Sequence, residues 1–501
     1  MERGIKDTVA QALAEVKDLY RSDHIPWVVG YSGGKDSSAT LQLVWLALLD
    51  LEPGQCVKPV HVISTDTLVE NPIVADWVEH SLIQINKLAE DARLPIKAHR
   101  LTPETADTFW VNLIGKGYPA PRHKFRWCTE RMKISPSNRF IREVVRENGE
   151  AILVLGTRKK ESSKRAHVMR KYEKQRTRVG LSPNASLPNS FVYSPIEEWT
   201  NDDVWQFLML YDNPWGVDNH HLLTMYQGAS PDGECPLVLD TSTPSCGDSR
   251  FGCWVCTLVD KDKSMHAMIQ NDEEKEWMLP LLRLRDKLDT KNDRELRDFR
   301  RMSGAVQLFH DQPIPGPYKQ EVREDWLRQV LEAQTWVRKN GPETVRSISL
   351  ITLSELQEIR RIWLLDKHEI EDSLPKIYEE VTGQTFPSET LDDSQPFGRD
   401  EMAILRDVCG KDRLHYEMLR DLLCVERNYS TLARRAGIYE ALTSTVKKSF
   451  YEGEEDAVTR ARQHRDYYLA ASDVLEANTE DLDRLLQWVL DDSESDSSGT
   501  D

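Results

Sequence analysis

The sequence has no apolar run of the ~18–20 residues that a membrane-spanning helix needs. Its nearest stretch, Ala39 to Leu49, is interrupted by Thr40 and Gln42. A secretory leader, with a basic start, an apolar middle and a small-residue cleavage site, is also missing. The chain opens Met1-Glu2-Arg3-Gly4 and runs into an amphipathic segment, Ile5 to Tyr20, so a cytoplasmic protein is expected. Cysteine is scarce, with eight among 501 residues, and without an export signal a disulfide scaffold is excluded. Positive charge is in deficit: 65 Lys plus Arg stand against 83 Asp plus Glu, a net charge of −18. That balance excludes nucleic-acid binding through overall charge, although not through one basic face. The Gly-x-x-x-x-Gly-Lys-Ser/Thr phosphate loop and the Gly-x-Gly-x-x-Gly dinucleotide fingerprint do not occur at the first strand–helix junction.

The basic residues that are present are concentrated. Lys116 to Arg178 holds 19 Lys plus Arg and 6 Asp plus Glu. Such a surface suits nucleotide phosphates, a DNA backbone, or solvent alone. The chain is too long for one ordinary core, so two domains, or one with a large extension, are expected.

The first third alternates strand-like and helix-like segments. Trp27–Tyr31, Val60–Ser64, Pro95–Leu101 and Ile152–Gly156 read as strands, and Ser37–Leu51 and Asp76–Ala92 as helices. Strands separated by helices predict an α/β fold with a parallel sheet covered on both faces. Residues 216–257 are irregular and rich in Gly, Pro, Ser and Cys. Pro313-Ile314-Pro315-Gly316-Pro317 marks a boundary. Beyond it the pattern is helical, with a capping box at Thr352-Leu353-Ser354-Glu355. The expected organisation is a nucleotide domain over 1–215, a metal segment with flanking helices over 216–312, a helical region over 319–490, and an acidic, disordered tail over 491–501.

Ser32-Gly33-Gly34-Lys35-Asp36-Ser37 lies between the first strand and the first helix of the sheet. Parallel sheets bind ligands at the carboxyl ends of their strands, and helix N-termini attract anions. The glycines allow close backbone approach, Lys35 offers a cation, and Ser32 and Ser37 offer hydroxyls. Asp36 holds magnesium or fixes the loop. Arg126-Trp127-Cys128-Thr129 places a thiol among Arg122, Lys124, Arg126 and Arg131, which predicts a lowered pKa and a nucleophile able to carry persulfide sulfur. After the fourth strand, Gly156, Arg158, Glu161, Ser162 and Arg165 form a segment whose arginines suit phosphate. Pro195-Ile196-Glu197-Glu198-Trp199 and Asp203-Val204-Trp205 read as packing at a helix start. Cys235, Cys246, Cys253 and Cys256 give Cys-x10-Cys-x6-Cys-x2-Cys, a thiolate set suited to zinc or to a 4Fe–4S cluster.

The six-residue loop resembles the pyrophosphate (PP) loop of adenine-nucleotide alpha-hydrolases. Four further strings extend the resemblance: Ser64 to Pro72, Phe125 to Glu130, Leu155 to Arg158 and Ser245 to Cys256. Together they resemble the DndC family, the phosphoadenosine phosphosulfate reductase-like sulfurtransferase subunits of Dnd DNA phosphorothioation systems, over roughly residues 25 to 320. The resemblance implies a PP-loop parallel sheet with an iron–sulfur loop region and a helical C-terminal extension. It implies ATP and Mg2+ as cofactors. ATP contacts are expected at residues 32–37, Ser64, Asp66, Gly156 and Arg158. It implies a 4Fe–4S cluster at Cys235, Cys246, Cys253 and Cys256, and catalytic roles for Lys35, Asp36, Cys128 and Arg158. The implied substrate is DNA, and the implied partners are a cysteine desulfurase and the Dnd subunits DndD and DndE. Competing readings are a sulfonucleotide reductase, whose C-terminal Glu-Cys-Gly-x-His string is missing here, a tRNA thiolation enzyme, an Ssp-type phosphorothioation subunit, and a non-catalytic scaffold.

Overall fold

A computed structural model describes residues 4–176, 178, 180–184, 186–229, 251–387, 399–430 and 435–477. The chain divides into two compact units. The first comprises Met1–Lys291, Glu324–Arg360 and Leu374–Ser388; the second comprises Asn292–Arg323, Arg361–Ser373 and Glu389–Asp501.

The first unit is built on a six-stranded sheet. Its strands are β1 (Trp27–Gly30), β2 (Val60–Thr65), β3 (Ile96–Leu101), β4 (Ala151–Val154), β5 (Ser182–Pro183) and β6 (Ser190–Tyr193), in the order β3-β2-β1-β4-β6-β5. All neighbours run parallel except the β5–β6 pair. The apolar strands are buried on both faces, as a covered parallel sheet requires. Along β1 the side chains alternate. Trp27 and Val29 join one core with residues of helices α1 (Ile5–Arg21), α2 (Lys35–Leu49) and α3 (Pro72–Asp91). Val28 faces the opposite core with Ile63, Ile141 and Val144, the last two from the helix Ser135–Asn148.

The chain leaves β1 towards β2 and β3, then returns to β4 on the other side of β1. The carboxyl ends of β1 and β4 therefore flank a topological switch point, where open α/β sheets bind ligands. The loop 31–34 follows β1, and Leu155-Gly156 follows β4.

Three differences from the sequence-based reading have local causes. α2 begins at Lys35, which places Lys35 and Asp36 in its first turn. β4 ends at Val154, so Gly156 lies beyond the ladder. β5 is only Ser182-Pro183, and β6, Ser190–Tyr193, is too short for its Phe, Val and Tyr to show a period.

Part of the C-terminal half belongs to this unit. The Trp110 indole N–H donates to the Leu350 carbonyl at 2.6 Å, and the Leu350 N–H donates to Gln334 at 2.8 Å. The expected capping box is present: the Thr352 N–H donates to Glu355 at 2.8 Å, and the Glu355 N–H donates to the Thr352 hydroxyl at 3.3 Å. Within the second unit the helices include Arg399–Cys409, Arg413–Ser430 and Ile438–Ser449. Its interior pairs a small apolar cluster of Ile370, Met402 and Cys424 with buried ion pairs. Cys235 and Cys246, the irregular stretch around them and the acidic tail lie outside the described residues. No described helix is long and apolar enough to cross a membrane.

Candidate functional site at the switch point

The loop after β1 is held from both sides. Gly33 has φ +74°, and a Cβ there would lie 2.5 Å from Val78 of α3. The Trp77 indole N–H donates to the Gly33 carbonyl at 3.1 Å. Ser37 donates its hydroxyl to the Gly34 carbonyl at 2.9 Å and accepts from the Ser32 N–H at 3.2 Å. The Lys35 N–H points to the Tyr226 hydroxyl at 3.4 Å, and the Lys35 ammonium lies 5.7 Å from the centre of that ring. The result is a fixed helix N-terminus carrying one cation, the arrangement that binds phosphate.

Asp36 and Arg158 join the two sides of the switch point. Arg158 donates through Nε to Asp36 Oδ1 at 2.6 Å and through a second nitrogen to the Trp199 carbonyl at 3.3 Å. The other Asp36 oxygen faces the Lys35 ammonium at 3.0 Å. Both carboxylate oxygens are therefore engaged by protein cations, and the structure supports loop fixing for Asp36. Arg158 is 3% exposed and stands as the buried strut of the loop. Gly156 lets the β4 end approach closely: a Cβ there would lie 2.6 Å from the Asp36 carbonyl oxygen. Arg165 lies further out and pairs with Glu161 at 3.4 Å.

At the end of β2, Ser64 is buried, and Asp66 accepts from the Leu68 N–H at 2.7 Å. Asp66 also pairs with Arg100, whose Nε lies 3.1 Å away. Leu68 takes a positive φ of 64°, and the chain turns here towards the cysteine segment. A short antiparallel contact follows, in which the Trp254 N–H donates to the Val69 carbonyl at 2.9 Å and the Asn71 N–H to the Gly252 carbonyl at 3.2 Å. Thr67 places its hydroxyl 3.3 Å from Cys253 Sγ and donates to Glu70 at 2.9 Å. The Cys253 thiol points at the same Glu70 oxygen from 3.6 Å, and Lys133 pairs with that oxygen at 3.3 Å. One loop thus runs from the expected adenosine contact Asp66 to the sulfur of Cys253.

Cys253 and Cys256 are linked by a turn, with the Cys256 N–H donating to the Cys253 carbonyl at 3.1 Å. The almost fully buried Arg285 fastens this turn through Nε to the Cys256 carbonyl at 3.0 Å. Cys128, in the single turn Trp127–Thr129, lies close enough to Cys256 for that sulfur to add to the upward shift of the Cys128 thiol. The expected lowering of the Cys128 pKa is corrected: burial pushes its thiol up. Its basic sequence neighbours are directed elsewhere. Arg122 reaches the carbonyls of Thr290 and Lys291, Arg126 contacts His123, and Arg131 binds Asp107 and Asn112. Burial also pushes the Cys253 thiol up strongly. A Cys-x2-Cys turn fastened at its backbone by Arg285 offers two sulfur donors of the type that ligate a metal centre. The described part of the donor set therefore fits a thiolate-ligated group.

Sequence reading missed Trp77, Tyr226 and Lys133, because they reach the site from distant segments and carry no motif of their own. Thr67 and Glu70 lie within the Ser64–Pro72 string, where their positions were legible but their sulfur contacts were not.

Residues 26–258 match the model of the phosphoadenosine phosphosulfate reductase domain. An uncharacterized protein of Methanocaldococcus jannaschii is 28% identical over 204 residues, which cover 41% of this chain and 35% of that relative. The chain thus spans about a third of the length of the curated relative that it matches. Among solved structures, the phosphoadenylyl-sulfate reductase of Candida auris, in a phosphate complex, is 13% identical. That match covers 42% of this chain and 86% of the other, with a TM-score of 0.25. The U34-tRNA thiolase NcsA of Methanococcus maripaludis, solved with its 4Fe–4S cluster, is 13% identical. It covers 57% of this chain and 79% of the other, with a TM-score of 0.28. The switch-point loop, the β2 turn and the paired cysteines Cys253 and Cys256 all lie inside the segment that matches the phosphoadenosine phosphosulfate reductase domain model.

Proposed function

We propose that this chain is an ATP-dependent sulfurtransferase that activates a DNA backbone phosphate and helps replace one of its non-bridging oxygens with sulfur. The observation that carries this reading is the loop 66–71. It begins at the expected adenosine contact Asp66 and ends in contact with Cys253, so nucleotide chemistry and sulfur chemistry adjoin.

In this reading the α2 N-terminus and Lys35 hold the ATP phosphates, with Mg2+ as a bound cofactor. Asp36 and Arg158 keep the loop in register. A DNA phosphate oxygen attacks the α-phosphorus and pyrophosphate leaves. A sulfane sulfur borne on Cys128 then bonds to the activated DNA phosphorus as AMP leaves. Freeing the phosphorothioate from Cys128 consumes two electrons from a cellular reductant. Cys253 and Cys256, with Cys235 and Cys246, would hold a 4Fe–4S cluster, which supplies redox or sulfur-binding capacity when present. The basic stretch 116–178 would carry the DNA backbone, and a cysteine desulfurase with DndD and DndE would complete the system.

The test pairs two readouts. Pyrophosphate release from ATP is expected in the intact chain and is expected to fall steeply in Asp36→Ala; wild-type release in that variant removes the loop assignment. Mass spectrometry of nuclease-digested DNA from cells expressing the chain with its partner genes should show phosphorothioate dinucleotides. Their loss in Cys128→Ser supports Cys128, and their persistence moves sulfur delivery to the other thiols. Their absence from both strains turns the substrate towards tRNA or a small sulfur acceptor.

A further inference from the structure

A cleft of about 620 Å³ opens on the first unit beside the cysteine segment. That volume is within the range of ligand-binding sites. It shares Asp66 with the expected adenosine contacts and is otherwise separate from the phosphate loop, because the two use different faces of α3. Trp77 and Val78 face Gly33, whereas Pro72, Ala75, Asp76 and Glu79, spaced three and four residues apart, line the cleft.

Its chemistry is of one kind. The walls are apolar and aromatic: Trp254 and Trp277 are 1% and 5% exposed, and Ile348 and Leu350 add aliphatic surface from the segment 342–352. Six carboxylates line it against two cations. Arg100 is shared by Asp66 and Glu79, Lys275 pairs with Asp272 at 3.1 Å and Lys133, from beyond the lining, pairs with Glu70 at 3.3 Å, which leaves a net negative charge in the cleft. Carboxylates beside an apolar wall select ammonium or guanidinium groups whose aliphatic stems lie on that wall. An anionic nucleotide or a DNA strand is disfavoured by the same charge.

The position of the cleft identifies the occupant. Glu70 lines it and also meets Cys253 Sγ, and Trp254 lines it immediately after Cys253. The cleft thus adjoins residues that touch or directly follow Cys253. We propose that this cleft docks a basic, arginine- or lysine-bearing segment of the protein that donates sulfur to this chain. The inference rests on the sulfurtransferase reading and adds the surface by which the donor is recognised.

The experiment uses fluorescence anisotropy on the full chain. The probe is a labelled nonapeptide of alternating arginine and leucine, with its glutamate-for-arginine counterpart and unlabelled spermidine as controls. The basic peptide should bind and the acidic one should not. Asp76→Asn/Glu274→Gln should weaken binding roughly tenfold, by loss of two facing charges. Glu454→Gln/Glu455→Gln, which removes two carboxylates in the other unit, should leave it unchanged. Equal weakening in both double variants, or equal binding of both peptides, overturns the proposal. Spermidine competing at matched affinity also overturns it, by making the site one for small polycations. Pyrophosphate release is measured alongside. Its absence from the wild-type chain counts against the sulfurtransferase reading, whereas intact release with no peptide binding counts against the docking surface alone.

Discussion

At the scale of single residues, the switch-point site depends on what is missing from Gly156 as much as on what Asp36 and Arg158 carry. A methyl group at Gly156 would collide with the Asp36 backbone, which cannot swing aside as a side chain can. Gly156→Ala is therefore expected to cost about 1–3 kcal/mol of stability by overpacking, and to lower pyrophosphate release. Thermal melting and a pyrophosphate assay on the same sample check both, and unchanged values would mean that the β4 end tolerates displacement. A second residue-scale prediction concerns His61 and His99 on β2 and β3. Their ring nitrogens lie 3.2 Å apart and both rings pack on Phe140. Burial lowers both pKa values, that of His99 to about 4 from 6.5. The folded form thus binds fewer protons than the unfolded chain below about pH 6.5. The contribution is intact above that pH and is lost as pH falls towards about 4. In His99→Gln the drop in Tm between pH 7 and pH 5 should shrink; an unchanged drop assigns the acid sensitivity elsewhere. The residue types at the phosphate loop were legible because glycine, lysine and aspartate between a strand and a helix have few other uses. The protonation of Cys128 was not legible, since neighbours in sequence proved not to be neighbours of the sulfur.

At the scale of elements, the strands with continuous apolar runs and the helices with regular spacing emerged where periodicity placed them. β5 and β6 did not, because two- and four-residue strands are too short to show a period; β6 is held by pairing with β4, and the Ser-Pro strand β5 by pairing with β6. The capping box at Thr352 shows local sequence acting alone. Its hydroxyl and the Glu355 carboxylate satisfy each other's backbone N–H groups at the start of the helix Leu353–Arg361. Thr352→Ala should cost about 0.5–2 kcal/mol, and chemical denaturation of the two chains measures it. A difference near zero would show that packing of Leu356 and Ile359 holds the helix start by itself.

At the scale of the whole molecule, the second unit has a small apolar core and an interior rich in charge. Arg323 is 2% exposed and Glu369 5%; they pair through both carboxylate oxygens, one at 3.1 Å, and Arg323 lies 5.2 Å from the centre of the Trp363 ring. The ammonium of Lys367 nearby is pushed down to about 8 by burial first and by Arg323 second. Removing one partner leaves a buried charge without its counterion, so Glu369→Ala should cost about 3–5 kcal/mol. Replacing both, as Arg323→Met/Glu369→Leu, should restore much of that loss. Denaturation of the single and double variants decides it, and a double variant no better than the single one would contradict this account.

The sequence by itself determined the α/β class, the position of the glycine-lysine-aspartate loop between β1 and α2, the capping box and the Cys-x2-Cys spacing of Cys253 and Cys256. Each of these depends on local rules: strand and helix periods, helix termini, and the close spacing of the few cysteines. Only the tertiary structure decided that Asp36 is tied to Arg158 across the switch point. It also decided that Thr67 and Glu70 meet Cys253, and that an acidic, tryptophan-walled cleft lies beside them. Those contacts join residues more than a hundred positions apart, and their geometry follows from how helices pack on a sheet. No local pattern of residues encodes it.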